Sequence, residues 1–324
     1  MKFKSVLRVT LPALLALFAS TLSAAPETFS QAKRLLREHV YHDQNASRGT
    51  FYCACQFNWV GRSGGRLDPS SCGLTVTKLE ERAQRIEWEH VVPASTAGRH
   101  LACWRNGGRE NCQKTDPAFN RLEADMFNLV PAVGSVNAMR SDINYGMVAG
   151  RYENLGNCST KIGTQNRVVE PRDEVKGMAA RTTFYMADRY NIRLSRQQEA
   201  VLIAWDRQFP VTPWELERNR RISRAMGHSN EFVTGERRWT QGYRPSGEGL
   251  SHNPGRSSAQ PSARPQMPTQ VASAGVVIGN RRSGVYHLPT GCPSYNQVGQ
   301  NNRVPFPSES AAVAAGFRKA GNCQ

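Results

Sequence analysis

Arg85-Ile86-Glu87-Trp88-Glu89-His90-Val91-Val92-Pro93-Ala94 decides how the rest of the chain is read. Taken with a period of two, Ile86, Trp88 and His90 face one side, and Glu87, Glu89 and Val91 face the other. β-Branched and aromatic residues at that spacing predict a strand, and Pro93 ends its hydrogen-bonding ladder. A strand that closes on Glu89-His90 leaves a carboxylate and an imidazole at a rim. Glu-His pairs also occur on ordinary strands, so the pair needs support from elsewhere in the chain.

The chain has 324 residues, with 42 Lys and Arg against 26 Asp and Glu, a formal net charge of +16. Residues 1–25 read as a secretory signal: Lys2, Lys4 and Arg8 precede an apolar run at 11–22, and Ser23-Ala24-Ala25 offers small residues for cleavage. The apolar run is short for a membrane span, so no span is expected after cleavage. The leader holds three basic residues and no acid, so its removal lowers the net charge to +13. A chain this basic is drawn to polyanions, and its wealth of arginine suits bidentate contact with phosphate. Eight cysteines in an exported chain predict disulfides before metal or thiol chemistry. Cys103 and Cys112 flank a short Gly-bearing loop and suit a local bridge. Cys53 and Cys55 lie too close to pair with each other, so both are expected to reach to Cys72 and Cys158.

Taken in order, residues 27–42 predict a helix capped by Thr28 or Ser30, and residues 51–60 a strand stapled at its centre. The Glu-His strand follows, and then a loop over 95–117 that carries Gly107-Gly108-Arg109. Pro131 is expected in the first turn of a helix that turns Val133, Val136 and Met139 inward beside Asn137. Further helices are expected over 174–189, 194–209 and 213–226, the last with Arg218, Arg220 and Arg221 on its outer side. The fold class is α+β: a mostly helical, disulfide-stapled domain over 26–242, a Ser/Pro/Gly-rich linker over 243–272, and a small α+β module over 273–324. That module reads as a hairpin followed by a helix over 309–320.

Phosphodiester hydrolysis needs a base for water, charge neutralisation at phosphorus, and help for the departing oxygen. His90 is the candidate base, because imidazole titrates close to neutral pH. Glu89 and Asn137 offer hard oxygens suited to a magnesium ion that keeps most of its waters; manganese or calcium would accept the same donors. Arg109, raised on its Gly-Gly loop, is the candidate grip on a non-bridging phosphate oxygen.

Glu87-Trp-Glu-His-Val-Val-Pro-Ala94, Cys103-Trp104, Gly107-Gly-Arg109, Glu123-Ala-Asp125, Asn128-Leu-Val-Pro131 and Val136-Asn137 closely resemble the endonuclease I family of periplasmic and secreted nucleases. The resemblance runs over residues 27–233, with Ala204-Trp205 and Pro213-Trp-Glu215 also in place. It implies a ββα-metal (His-Me finger) motif in which a hairpin presents His90 and a crossing helix presents Asn137. It further implies His90 as general base, Glu89 and Asn137 as metal ligands, and Arg109 as the residue that steadies the phosphate or the product. Glu123 falls where the family places a carboxylate, which would orient Arg109 or His90. Asp142 departs from the Ser-Asn that the family places after Arg140. A monomeric, periplasmic or secreted enzyme acting on DNA and RNA and leaving 5′-phosphate ends is what the family implies.

Gly279–His287, Cys292–Tyr295, Asn302–Phe306 and Ala315–Cys323 resemble a small Ada-type metal-binding module. That pattern uses four thiolates, whereas here only Cys292 and Cys323 remain, with His287 nearby. A Cys292–Cys323 disulfide is therefore expected in place of zinc. Arg281, Arg282, Arg303, Arg318 and Lys319 would add affinity for DNA, or the module is simply a stable tail. A basic chain of this kind also admits a non-catalytic role, binding extracellular nucleic acid without cutting it. Intact Glu89, His90, Arg109 and Asn137 favour the enzyme.

Overall fold

The computed structural model of the chain describes residues 25–250, 277–306, 309–314 and 317–323, which form two separate compact units. The expected leader, up to residue 24, and the stretch 251–276 of the expected linker lie outside the described residues. Among the described residues no helix is long and apolar enough to cross a membrane. Small sheets set among many helices make the fold α+β, as expected.

The larger unit contains two antiparallel strand pairs that bear on the site. β1 (Phe57–Val60) pairs antiparallel with β2 (Gly64–Leu67). β3 (Ile86–His90) pairs antiparallel with β4 (Leu129–Val133), from Ile86↔Val133 to His90↔Leu129. The ladder ends where Val91 passes into Val92-Pro93, as the proline dictates. Pro131 departs from expectation: it sits inside β4, opposite Trp88, and not in a helix. β4 tolerates it because its other edge carries no further strand; on that side the Pro131 carbonyl accepts a bond from Phe51 N at 2.8 Å. The helix begins instead at Gly134 and runs to Arg140. A Cβ at Gly134 would lie 2.5 Å from the Arg82 carbonyl oxygen and 2.9 Å from the Glu87 carboxylate, so only glycine brings this helix so close to β3.

The expected strand over 51–60 is shortened to its second half. Residues 50–56 form a tight turn in which Ala54 takes a left-handed φ of 57° and bonds back to Thr50 O. Two disulfides pin the turn, Cys53–Cys158 and Cys55–Cys72, while Cys103–Cys112 closes the local loop. All three agree with the expected pairing rules.

Around the strands pack three long helices. Asp173–Arg189 is buried on nearly all sides and forms the centre of the unit. Its charged members are paired inside: Lys176 with Glu170 at 2.9 Å, and Arg181 with Glu215 through Nε and Nη2 at 2.7 and 2.6 Å. Arg196–Gln208 starts on a Ser195/Gln198 capping box, and Pro213–Met226 on a Thr212 cap. Arg218 is not on the outer side as its sequence context suggests. It is buried, and it donates to Tyr41 Oη and to the carbonyls of Met126, Phe127 and Leu129, so it ties the helix to the approach to β4. The N-terminal helix, Phe29–Leu35, is capped by Thr28 and passes into a π-helical turn, Leu36–Val40. Residues 243–250, which composition assigns to the linker, are held against the long helix: Gly247 N bonds Asp188 O, and Ser246 N bonds the Asp188 carboxylate.

The smaller unit is a four-stranded sheet in the order Arg303–Phe306, Val277–Asn280, Val285–His287, Arg318–Lys319. One helix, Glu309–Ala314, covers the face that carries Val277 and Tyr286; it is shorter than the 309–320 expected. The Cys292–Cys323 disulfide forms, which uses both thiols that a zinc ion would need, and His287 is buried.

Candidate active site

Period-two alternation turns Glu87 and Glu89 to one side of β3, and the Gly134–Arg140 helix crosses that side. A cleft of about 730 Å³ opens there, lined by both glutamates, His90, Arg109, Asn137 and Arg140 among others. All but one of the residues singled out from sequence thus share one cleft; the other, Glu123, does not line it but bonds to two that do, His90 and Arg109.

His90 is buried, and its Nε2 donates to the Glu123 carbonyl oxygen at 2.9 Å. That bond fixes the tautomer and leaves the lone pair on Nδ1. Burial, with the positive charge of Arg109 next, pulls the His90 pKa down to about 3, so the imidazole rests neutral. The Glu123 carboxylate, wholly buried, takes bonds from Arg109 Nε and from Gln113 Nε2 at 3.0 and 2.8 Å. Glu123 therefore orients both groups, His90 with its backbone and Arg109 with its side chain. The Arg109 side chain, at the mouth of the cleft, is 43% exposed; its guanidinium sits 5.4 Å over the Phe29 ring, which in turn lies 4.8 Å from the His90 ring. Lys33 adds a second cation over Phe29 at 4.5 Å.

Glu89 is buried and engaged through one oxygen. Tyr52 Oη donates to its Oε1 at 2.7 Å, and Arg140 Nη1 lies 2.9 Å from the same atom. Burial raises its pKa although Arg140 and Tyr52 pull the other way. Arg140 also holds the carbonyls of His90 and Val91 at 2.8 and 2.6 Å, which fixes the end of β3. Asn137 does not bond Glu89 directly. Its Nδ2 donates to Glu87 Oε2 at 3.0 Å, and this turns the amide oxygen the other way. Arg82 clamps the same Glu87 carboxylate; burial pushes the Glu87 pKa up, but the bonds from Arg82 and Asn137 outweigh it and the net shift is downward.

Glu87, Tyr52, Gln113 and Phe29 are partners that sequence reasoning did not single out. Glu87 was within reach, since it shares the β3 face of Glu89 and lies one helical crossing from Asn137. The other three come from distant segments, and no local pattern marks them. Among the described residues no three acidic, His or Cys side chains gather as a full metal cage. The donors that the cleft offers are oxygens: Glu89 Oε2, since Tyr52 and Arg140 meet Oε1, and the amide oxygen of Asn137. A carboxylate that burial makes costly to ionise gains from a nearby cation. Two such oxygens fit a magnesium-like ion that keeps several waters, and the thiolate chemistry of zinc has no place here.

The arrangement can take a proton from water at Nδ1 and hold an anion on a guanidinium beside it. The family model for Endonuclease I matches residues 28–236, and the chain belongs to the endonuclease I family. An extracellular deoxyribonuclease of Aeromonas hydrophila is 42% identical over 227 residues, 68% of this chain and 96% of that protein. A periplasmic deoxyribonuclease of the same organism is 40% identical over 220 residues, 68% of this chain and 91% of its own length. An endonuclease-1 of Buchnera aphidicola is 41% identical over 207 residues, 64% of this chain and 80% of that protein. The family match ends at residue 236, so the resemblance of the C-terminal unit to an Ada-type module gains no support from it.

Proposed function

We propose that the chain is a metal-dependent endonuclease that hydrolyses the phosphodiester bonds of DNA, and of RNA, in the periplasm or the surrounding medium. The observation that carries this reading is the His90–Glu123 bond, which presents an unprotonated Nδ1 in the same cleft as Arg109, Glu89 and Asn137. Nδ1 takes a proton from a water, and the resulting hydroxide attacks phosphorus in line with the 3′ oxygen. The bond from phosphorus to that 3′ oxygen breaks, so the phosphate stays on the 5′ end. Arg109, steadied by Glu123, grips a non-bridging oxygen as negative charge builds. Magnesium, or manganese or calcium, held by the oxygens of Glu89 and Asn137, would stabilise the charge on the phosphorane and on the departing oxygen. Glu87 keeps the Asn137 amide in register for that role.

Phosphate contacts carry affinity without base information, so little sequence preference is expected, and RNA offers the same backbone. The relatives named extracellular or periplasmic deoxyribonucleases support DNA as substrate and export as the fate of the chain. We propose a monomer, in line with every residue of the proposed chemistry coming from one chain.

The test is digestion of plasmid and of single-stranded RNA, with and without a chelator, by the wild type and by His90→Ala. Wild-type cleavage that stops with chelator, and a His90→Ala protein that binds DNA but fails to cut, are the expected results. Full activity in His90→Ala removes the proposed base, and chelator-resistant cleavage removes the metal.

A further inference from the structure

We infer that the C-terminal unit carries a second nucleic-acid-binding surface, a rim of arginines at one end of its sheet that grips the phosphate backbone. This inference rests on the nuclease reading only for the choice of polyanion.

Between residues 277 and 323 the chain has five Lys and Arg and a single acid, Glu309. Strand pairing gathers the basic residues. Arg303 pairs with Asn280, Asn280 with Val285, and Val285 with Arg318, so these four positions form one cross-strand row. Paired residues project to the same face, so Arg303 and Arg318 flank Asn280 and Val285 there. Arg281 and Arg282 occupy the turn that joins the two middle strands and close the row at its end. All four arginines thus lie at one edge.

The acid lies elsewhere. Val277, Gly279 and Tyr286 alternate onto the opposite face, the one covered by the Glu309–Ala314 helix, and there Tyr286 Oη donates to Glu309 at 2.5 Å. Among the described residues, Arg281, Arg282 and Arg318 have no carboxylate partner. All three are exposed.

The turn is built to hold its shape. Arg282 N bonds the Asn280 side chain at 3.1 Å, Gly284 N bonds Asn280 O at 2.9 Å, and Arg281 N bonds Asn302 O at 2.9 Å. Gly284 takes the left-handed φ of 66° that completes it. Guanidiniums on such a turn lose less freedom on binding than those on a loose tail. The Tyr295 ring lies 5.8 Å from the Arg303 guanidinium, an aromatic set beside the cations as in surfaces that meet bases and phosphates together. Three exposed guanidiniums, with the half-buried Arg303 and one aromatic beside them, fit a phosphodiester chain better than the carboxylates of an acidic polysaccharide. A second grip on the same polymer raises the local substrate concentration at the catalytic cleft.

The experiment uses the full chain carrying Arg281→Ala, Arg282→Ala and Arg318→Ala together; Arg303, which also holds Tyr295 O, is left in place. Binding to a 40-base-pair duplex is measured in chelator across a salt series, with circular dichroism and melting as the check on folding. Retention on dextran sulfate is measured in parallel. The triple variant should melt as the wild type does and bind the duplex at least tenfold more weakly. Its salt slope should be shallower by about 0.9 for each phosphate that the variant no longer neutralises. It should also cleave an 8-base-pair duplex at the wild-type rate. An unchanged affinity and slope overturn the inference, and so does a loss confined to dextran sulfate, which would assign the rim to polysaccharide. Because binding is read in chelator, arginine-dependent affinity in a chain that cuts nothing would sink the nuclease reading and leave this one standing.

Discussion

Arg218 and Arg220 stand two positions apart on one helix and do unrelated things. Arg218 points inward to Tyr41 and three backbone carbonyls, while Arg220 pairs with Glu217 in water. Arg218→Ala strands several buried acceptors, each costing about 1–3 kcal/mol, so a loss of about 3 kcal/mol or more is expected in urea unfolding. Arg220→Ala should leave the denaturation midpoint where it is. Glu87, through its bond to Asn137, is expected to bear on cleavage. Glu87→Gln keeps the size but weakens the bonds that set Asn137, and a 10- to 100-fold drop in cleavage with a raised magnesium requirement is expected. An unchanged magnesium dependence in that variant would assign Glu87 to Arg82 alone. His90 gives a pH signature. Its pKa is near 6.5 in an unfolded chain and about 3 when folded, so the unfolded state binds the proton first as pH falls. The stability that neutral His90 contributes is complete above about pH 6.5 and is lost as pH drops toward 3. Unfolding free energies measured from pH 7 to 4 should fall more steeply for the wild type than for His90→Gln.

Cys103 and Cys112, nine residues apart in sequence, bracket Gly107, Gly108 and Arg109 at the element level. Replacing both cysteines by serine should cost about 2–3 kcal/mol of stability and lower kcat/KM further than that loss explains, because the Arg109 helix starts inside the loop. Equal losses in stability and activity would make the bridge purely structural. The elements that the sequence announces are those whose reasons are local. β3 follows from its alternation, and the Pro213–Met226 helix from its proline and its Thr212 cap. Spacing gave the Cys103–Cys112 bridge and kept Cys53 from pairing with Cys55, but which of Cys72 and Cys158 each of them takes is decided only by the fold. What local pattern cannot show is decided by partners far along the chain. Pro131 reads as a helix start until β3 claims it, and residues 51–56 read as a strand until two disulfides fold them into a turn. Arg218 looks like a surface charge because its acceptors sit some 90 residues earlier. The site divides the same way: His90, Glu89 and Asn137 are visible in motif and spacing, whereas Tyr52 reaches Glu89 from 37 residues away.

For the molecule as a whole, the family match stops at residue 236 but the packing does not. Trp239 is buried, stacks on Phe184 at 5.0 Å and donates to Glu199 at 3.0 Å; Tyr243 stacks on it at 4.5 Å. A chain ended at Leu250 should therefore fold and cut short DNA as the full chain does. A chain ended at Arg238 should lose about 3–5 kcal/mol, the cost of deleting a buried Trp, as read by melting temperature. The Cys53–Cys158 bridge, finally, spans 105 residues, and every residue of the proposed chemistry lies between its ends. In a medium rich in proteases, one cut anywhere in that interval leaves both pieces on the same covalent molecule. A nicked enzyme would therefore run as one band until a reductant is added, and would keep its catalytic parts together after its backbone has been severed.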